Sequence, residues 1–90
     1  MSAQWRDMTQ FEKRLCEALD PARVRYPVAS PPKRLGRDLA AQAKADPPQI
    51  TDKQAAAAWA QAWRFRRQIP DAQIRLYAEA VKNAAARSPQ

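Results

Sequence analysis

The stretch ITDKQAAAAWAQAWRFRRQIPD, residues 50 to 71, contains both ends of one helix and three of the aromatic side chains expected to anchor the fold. Thr51 occupies an N-cap, and Gln54, three residues on, can answer it in a capping box. Ile50 can staple against Ala55, and Asp52 suits the positive end of the helix dipole. Pro70-Asp71 forces a sharp turn, so the helix is predicted to run to about Ile69. At about 100° per residue, Ala55, Trp59, Ala62, Trp63, Phe65 and Ile69 sweep one broad arc. Aromatic residues at this spacing read as core, and the alanines between them allow a neighbouring helix to approach closely.

The arginines of this stretch divide. Arg64 projects to the opposite side with Lys53, Gln61 and Gln68, so it is solvated or open to a partner. Arg67 lies at the edge of the arc. Arg66 falls inside it, among Trp59, Ala62, Trp63 and Ile69, where an unpaired guanidinium is costly to desolvate. Three resolutions are open. Arg66 snorkels along the tryptophans with a cation–π contact, or it pairs with a carboxylate such as Asp71, or it marks where the arc opens to a ligand.

Working outward, a fourth helix follows Pro70-Asp71 to about Ala86, with Ile74, Tyr77, Ala78, Val81 and Ala85 on its buried face. Upstream, Ser30 as N-cap and Pro31 in the first turn open a second helix that runs to about Ala45, with Leu35, Leu39 and Ala43 on its apolar stripe. Asp46-Pro47-Pro48 stops it. Residues 20 to 32, DPARVRYPVASPP, form a proline-punctuated basic connector, which Tyr26 and Val28 are expected to pin to the bundle. A first helix is placed over residues 3 to 19, with Met8, Phe11, Leu15, Ala18 and Leu19 on one face. Its start is open between Ser2 and a Thr9/Glu12 capping box.

The fold class that results is all-α: a single domain over residues 1–90, a small bundle of about four helices, with a frayed tail at 87–90. Hydrophobic residues are 46% of the chain, but many are alanine, so the core rests on a few large side chains. These are Trp5, Phe11, Leu15, Leu19, Leu35, Leu39, Trp59, Trp63, Phe65, Ile69, Ile74, Tyr77 and Val81. With one glycine and scattered β-branched residues, strands find little support. One cysteine, Cys16, allows no internal disulfide and suits a reducing compartment. No apolar run is long enough for a membrane span, and MSAQWRDMTQ lacks the apolar segment of a signal peptide, so a cytoplasmic protein without membrane contact is expected.

Catalytic chemistry finds little support. The chain has no histidine, Cys16 falls near an apolar face, the acids are spread singly, and no glycine-rich phosphate loop occurs. A non-enzymatic protein without metal or cofactor is expected. The net charge of +7 favours a polyanion or an acidic protein surface as partner. Between residues 23 and 37 there are five cations and no acid: Arg23, Arg25, Lys33, Arg34 and Arg37. Lys33, Arg34, Arg37 and Lys44 share the face of the second helix opposite Leu35 and Leu39. Lys33 and Arg34 lie in its first turn, where cations oppose the dipole, which hints at a use beyond solubility. The candidate binding residues are these six with Arg64, Arg66 and Arg67. The third and fourth helices could form a helix-turn-helix corner, but Gln73, Arg75, Glu79 and Lys82 are a weak set for reading base edges.

Residues 33 to 70 carry a basic-aliphatic helix, a short linker, then IT-[DE]-[KR]-Q-A leading into W-x3-W-[RK]-[FY]-R-R-Q-I. This pattern resembles that of short, mostly uncharacterised proteins encoded by phages and other mobile elements of Gram-negative bacteria. Ala57 and Ala58 stand where that pattern has larger aliphatics. The resemblance implies an accessory role in a mobile element and supplies no activity or site residues. Three functions follow as expectations. The first is nucleic-acid binding through the basic connector and second helix. The second is a protein-binding inhibitor or adaptor docking on a host defence or replication complex, of anti-CRISPR type. The third is a self-associating protein whose thin core is completed in a homodimer.

Overall fold

The structure is a computed structural model that describes residues 4–87. It is all-α with a minor sheet. In chain order it comprises β1 (Trp5–Asp7), α1 (Gln10–Ala18), α2 (Pro31–Ala43), β2 (Gln49–Thr51), α3 (Asp52–Arg64), a 3₁₀ turn (Arg66–Gln68) and α4 (Ala72–Arg87).

Each of the first three helices starts on a side-chain cap. Thr9 and Glu12 form a complete capping box on α1, with Glu12 N–H donating to Thr9 Oγ1 at 3.0 Å and Thr9 N–H to Glu12 Oε1 at 2.9 Å. Thr51 and Gln54 do the same for α3, and Ser30 caps α2 with Pro31 as its first residue. The Ser2 start lies outside the described residues, as does the tail, except that Arg87 closes α4.

Helix one therefore begins at Gln10 rather than at residue 3, and the residues before it are strand. β1 pairs antiparallel with β2 in the register Trp5↔Thr51, Arg6↔Ile50 and Asp7↔Gln49, and the Met8 amide extends the ladder to the Pro48 carbonyl. Three-residue strands are too short to show an alternating pattern, and their partner lies over forty positions away. Trp5 consequently stands 54% exposed on the sheet and leaves the predicted core. The other helical ends also shift. α2 stops at Ala43, and α3 stops at Arg64, its chain tightening into the 3₁₀ turn before Pro70.

The core is built from Leu15, Cys16, Leu19, Leu39, Ile50, Trp59, Ile69 and Ile74, with buried alanines of α2, α3 and α4 at the close approaches. Leu35, Trp63, Phe65 and Val81 are half-buried at its rim. Phe11, Trp59 and Tyr77 form an aromatic trio joining α1, α3 and α4, with ring centroids 4.5–5.4 Å apart. Tyr77 remains 48% exposed, and Ala85 is exposed, so the buried face of α4 is narrower than expected: Ile74 and Ala78, with Val81 at its margin.

The connector is a turn over 21–23 and a second turn at 28–29, joined by irregular chain. Val24 is its anchor, 1% exposed, whereas Val28, expected to pin it, is 91% exposed. Tyr26 does pin it. Its hydroxyl donates to the Leu19 carbonyl at 2.6 Å, accepts from Gln61 Nε2 at 3.0 Å, and its ring meets Phe65 edge-on. Gly36 lies under that hydroxyl. A Cβ there would sit 2.5 Å from the Leu19 carbonyl oxygen, so the crossing of α1 over α2 requires glycine.

Candidate functional site

The basic residues collect where the connector, the start of α2 and the end of α3 meet. Gln61 Nε2, buried on α3, donates to the Pro32 carbonyl at 2.8 Å and so fixes the first turn of α2 against α3. Gln68 grips the connector from the 3₁₀ turn: its Oε1 accepts from the Arg25 amide at 2.8 Å and its Nε2 donates to the Arg25 carbonyl at 3.2 Å. These bonds hold the segments bearing Arg25, Lys33, Arg34, Arg64 and Arg67 in one place.

At the start of α2, Lys33, Arg34 and Arg37 line one concavity of about 320 Å³ together with Ala29 and Ser30. Their i, i+3 and i, i+4 spacing puts them on neighbouring turns of one face. Just before the cap, a turn closed by Ser30 N–H to the Pro27 carbonyl reverses the chain, with Ala29 at φ 53°. The first turn of α2 offers little backbone to an anion. Pro31 and Pro32 have no N–H, and the Lys33 amide is directed at Ser30 Oγ. An anion held here is held by side chains, aided by the positive end of the dipole and by the lack of any acid in that turn.

Arg23 lies apart from that concavity. It lines a second, larger one of about 560 Å³ with Arg14, Glu17, Gln68, Pro70 and Asp71. Asp71 is already paired with Arg14, which holds its carboxyl below the usual carboxylate range, so it is not the partner of Arg66. Lys44 sits at the far end of α2, 3.7 Å from an Asp20 carboxylate oxygen, and does not join Lys33, Arg34 and Arg37. Among the described residues, Arg23, Arg25, Lys33, Arg34, Arg37, Arg64, Arg66 and Arg67 make no ion pair with a carboxylate, while Arg6, Arg14 and Lys44 do.

Arg66 takes the first of its three resolutions. Its guanidinium lies over the Trp63 ring, Cζ 3.9 Å from the centroid, and Nη1 donates to the Trp63 carbonyl at 2.8 Å. Lys82 of α4 also stacks on Trp63, with Nζ 4.6 Å from the centroid. Two cations on one indole, without a carboxylate, form a second positive focus that sequence reasoning missed, because Lys82 reaches Trp63 only through the packing of α4 on α3. Arg64 is exposed, its Cζ 5.4 Å from the Phe65 centroid.

Cys16 is fully buried, and desolvation pushes its thiol up to about 12, which leaves no thiolate at neutral pH. Among the described residues, no group of three or more His, Cys, Asp or Glu is placed to hold a metal ion, and no helix is long and apolar enough to cross a membrane. The chain matches no family model, no curated protein and no solved structure.

Proposed function

We propose that this chain is a small, non-enzymatic accessory protein of a phage or mobile element that works in the cytoplasm and binds nucleic acid through its basic surface. The observation that carries this reading is the gathering of Lys33, Arg34 and Arg37 around one concavity with no carboxylate partner among them. Arg25, Arg64 and Arg67 are carried by the segments that Gln61 and Gln68 tie to the start of α2, while Arg23 lines a separate concavity. Phosphates would be contacted by side chains alone, which favours the repeating backbone of a polynucleotide over a base sequence. The mobile-element origin is supported by the resemblance of residues 33–70. The lone, buried thiol of Cys16 suits a reducing compartment. Fluorescence anisotropy with mixed-sequence DNA and RNA at two salt concentrations tests the reading. Binding at low salt that weakens steeply at high salt is expected, and no binding at low salt overturns it.

A second reading, an inhibitor or adaptor docking on an acidic protein surface, is favoured by the Trp63 cluster. Arg66 and Lys82 are held in place by one ring before any partner arrives, and Trp with Arg is a common composition of binding hot spots. Affinity purification with and without nuclease separates the two. A stoichiometric protein that survives nuclease and is lost in Arg66→Glu favours the second reading.

A further inference from the structure

We propose that the basic surface takes single-stranded nucleic acid and receives one base, turned out of the strand, in a hollow beside Asp38 that prefers an exocyclic amino group. This rests on the nucleic-acid reading above and adds a base contact to it. Two concavities lie side by side at the start of α2, and Ala29, Ser30 and Arg34 belong to both. Lys33 and Arg37 complete the first. Pro31, Leu35 and Asp38 complete the second, of about 290 Å³.

The helix sets the order of these walls. At about 100° per residue, Lys33, Arg37, Arg34, Asp38, Pro31 and Leu35 follow one another around α2. The surface therefore passes from cationic to acidic to apolar across one helix. A nucleotide has the same polarity, with a phosphate at one end and a flat base at the other. With the phosphate among Lys33, Arg34 and Arg37, the base lies beyond Arg34, its face against Pro31 and half-buried Leu35 and its polar edge at Asp38.

Asp38 is the residue that phosphate contact alone does not explain. A carboxylate repels phosphate, yet this exposed one stands among cations without neutralising them. Among the described residues it makes no ion pair, although Arg34 lies one turn before it. An ionised carboxylate accepts hydrogen bonds and donates none. It therefore selects the amino group of cytosine, adenine or guanine against the carbonyl of thymine or uracil. The shape of the site selects the single strand. A duplex offers its base edges inside grooves, to side chains that protrude, whereas a hollow receives only a base turned out of its stack.

Anisotropy titrations of the full chain with dC and dT strands of equal length test the proposal, in mildly alkaline buffer that keeps cytosine unprotonated. Both strands carry the same phosphates, so the salt-dependent part of binding cancels and the ratio reads the base. The dC strand is expected to bind about fivefold more tightly, the worth of roughly one charge-assisted hydrogen bond at an exposed site. Asp38→Asn presents a donor as well as an acceptor, so it should bring the two affinities together with unchanged circular dichroism. Equal binding of dC and dT by the wild-type chain overturns the proposal and leaves the nucleic-acid reading standing. So does a dC preference that survives Asp38→Asn, or a duplex of the same length that competes as well as the dC strand. Failure to bind any nucleic acid at low salt overturns both.

Discussion

Arg66 lies over the Trp63 ring and hydrogen-bonds the same residue's carbonyl, so a charge that the helical projection sets inside an apolar arc needs no carboxylate. α3 ends at Arg64 and Arg66 begins a 3₁₀ turn, where it is half-buried rather than enclosed in the core. Arg66→Met keeps the packing and loses the cation–π contact, so urea unfolding should show a loss under about 1 kcal/mol. A loss of several kcal/mol would mean that the guanidinium carries structure rather than a surface charge.

Gly36 is a close approach between α2 and the end of α1. A methyl group there meets backbone, the Leu19 carbonyl oxygen, and the Tyr26 hydroxyl at 3.0 Å. Backbone cannot step aside as the end of a flexible side chain can. Gly36→Ala should therefore cost about 2 kcal/mol despite the better helix propensity of alanine, read as a lower urea midpoint. A stabilised variant would contradict this crossing.

Acid should weaken the sheet-side network. The Arg6 guanidinium gives two 2.7 Å hydrogen bonds to the Glu12 carboxylate and one of 2.6 Å to Asp52. With the Thr9 amide, Arg6 holds the buried Glu12 carboxyl below the usual range, against the desolvation that raises it. In acid, then, the unfolded chain takes up this proton before the folded one. The stabilisation is complete above the unfolded value of about 4.3 and is lost as pH falls through the lower folded value. Asp71, held down by Arg14, acts in the same direction. Unfolding free energy followed from neutral pH into acid should fall, and Glu12→Gln should flatten that fall by about one proton.

The parts legible in the sequence are those with local causes. Thr51 with Gln54, Ser30 with Pro31, and Thr9 with Glu12 each announce a helix start within four residues, and all three caps form. What stayed hidden depends on pairings distant in sequence. Trp5–Asp7 is strand only because residues 49–51 lie beside it, and Val24 is core only because the turn after α1 carries it into the cluster formed by residues of other elements. The apolar spacing of α3 continues to Ile69 in sequence, although the helix stops at Arg64 and the chain reaches Ile69 through the 3₁₀ turn. The candidate surface was legible as charge, through the acid-free run from Arg23 to Arg37. Its division was not: Lys44 goes to Asp20, Arg23 to a separate concavity, and Lys82 arrives at Trp63 from another helix.

The central claim is that Lys33, Arg34 and Arg37 contact phosphates, and the salt dependence of binding tests it most directly. Anisotropy titrations of a mixed-sequence oligonucleotide across a salt series should give a straight line of log affinity against log salt for the wild-type chain. The triple variant Lys33→Gln, Arg34→Gln, Arg37→Gln should keep its fold, bind more weakly, and show a slope shallower by about three, roughly one per lost phosphate contact. A folded triple variant with the wild-type slope and affinity would contradict the account.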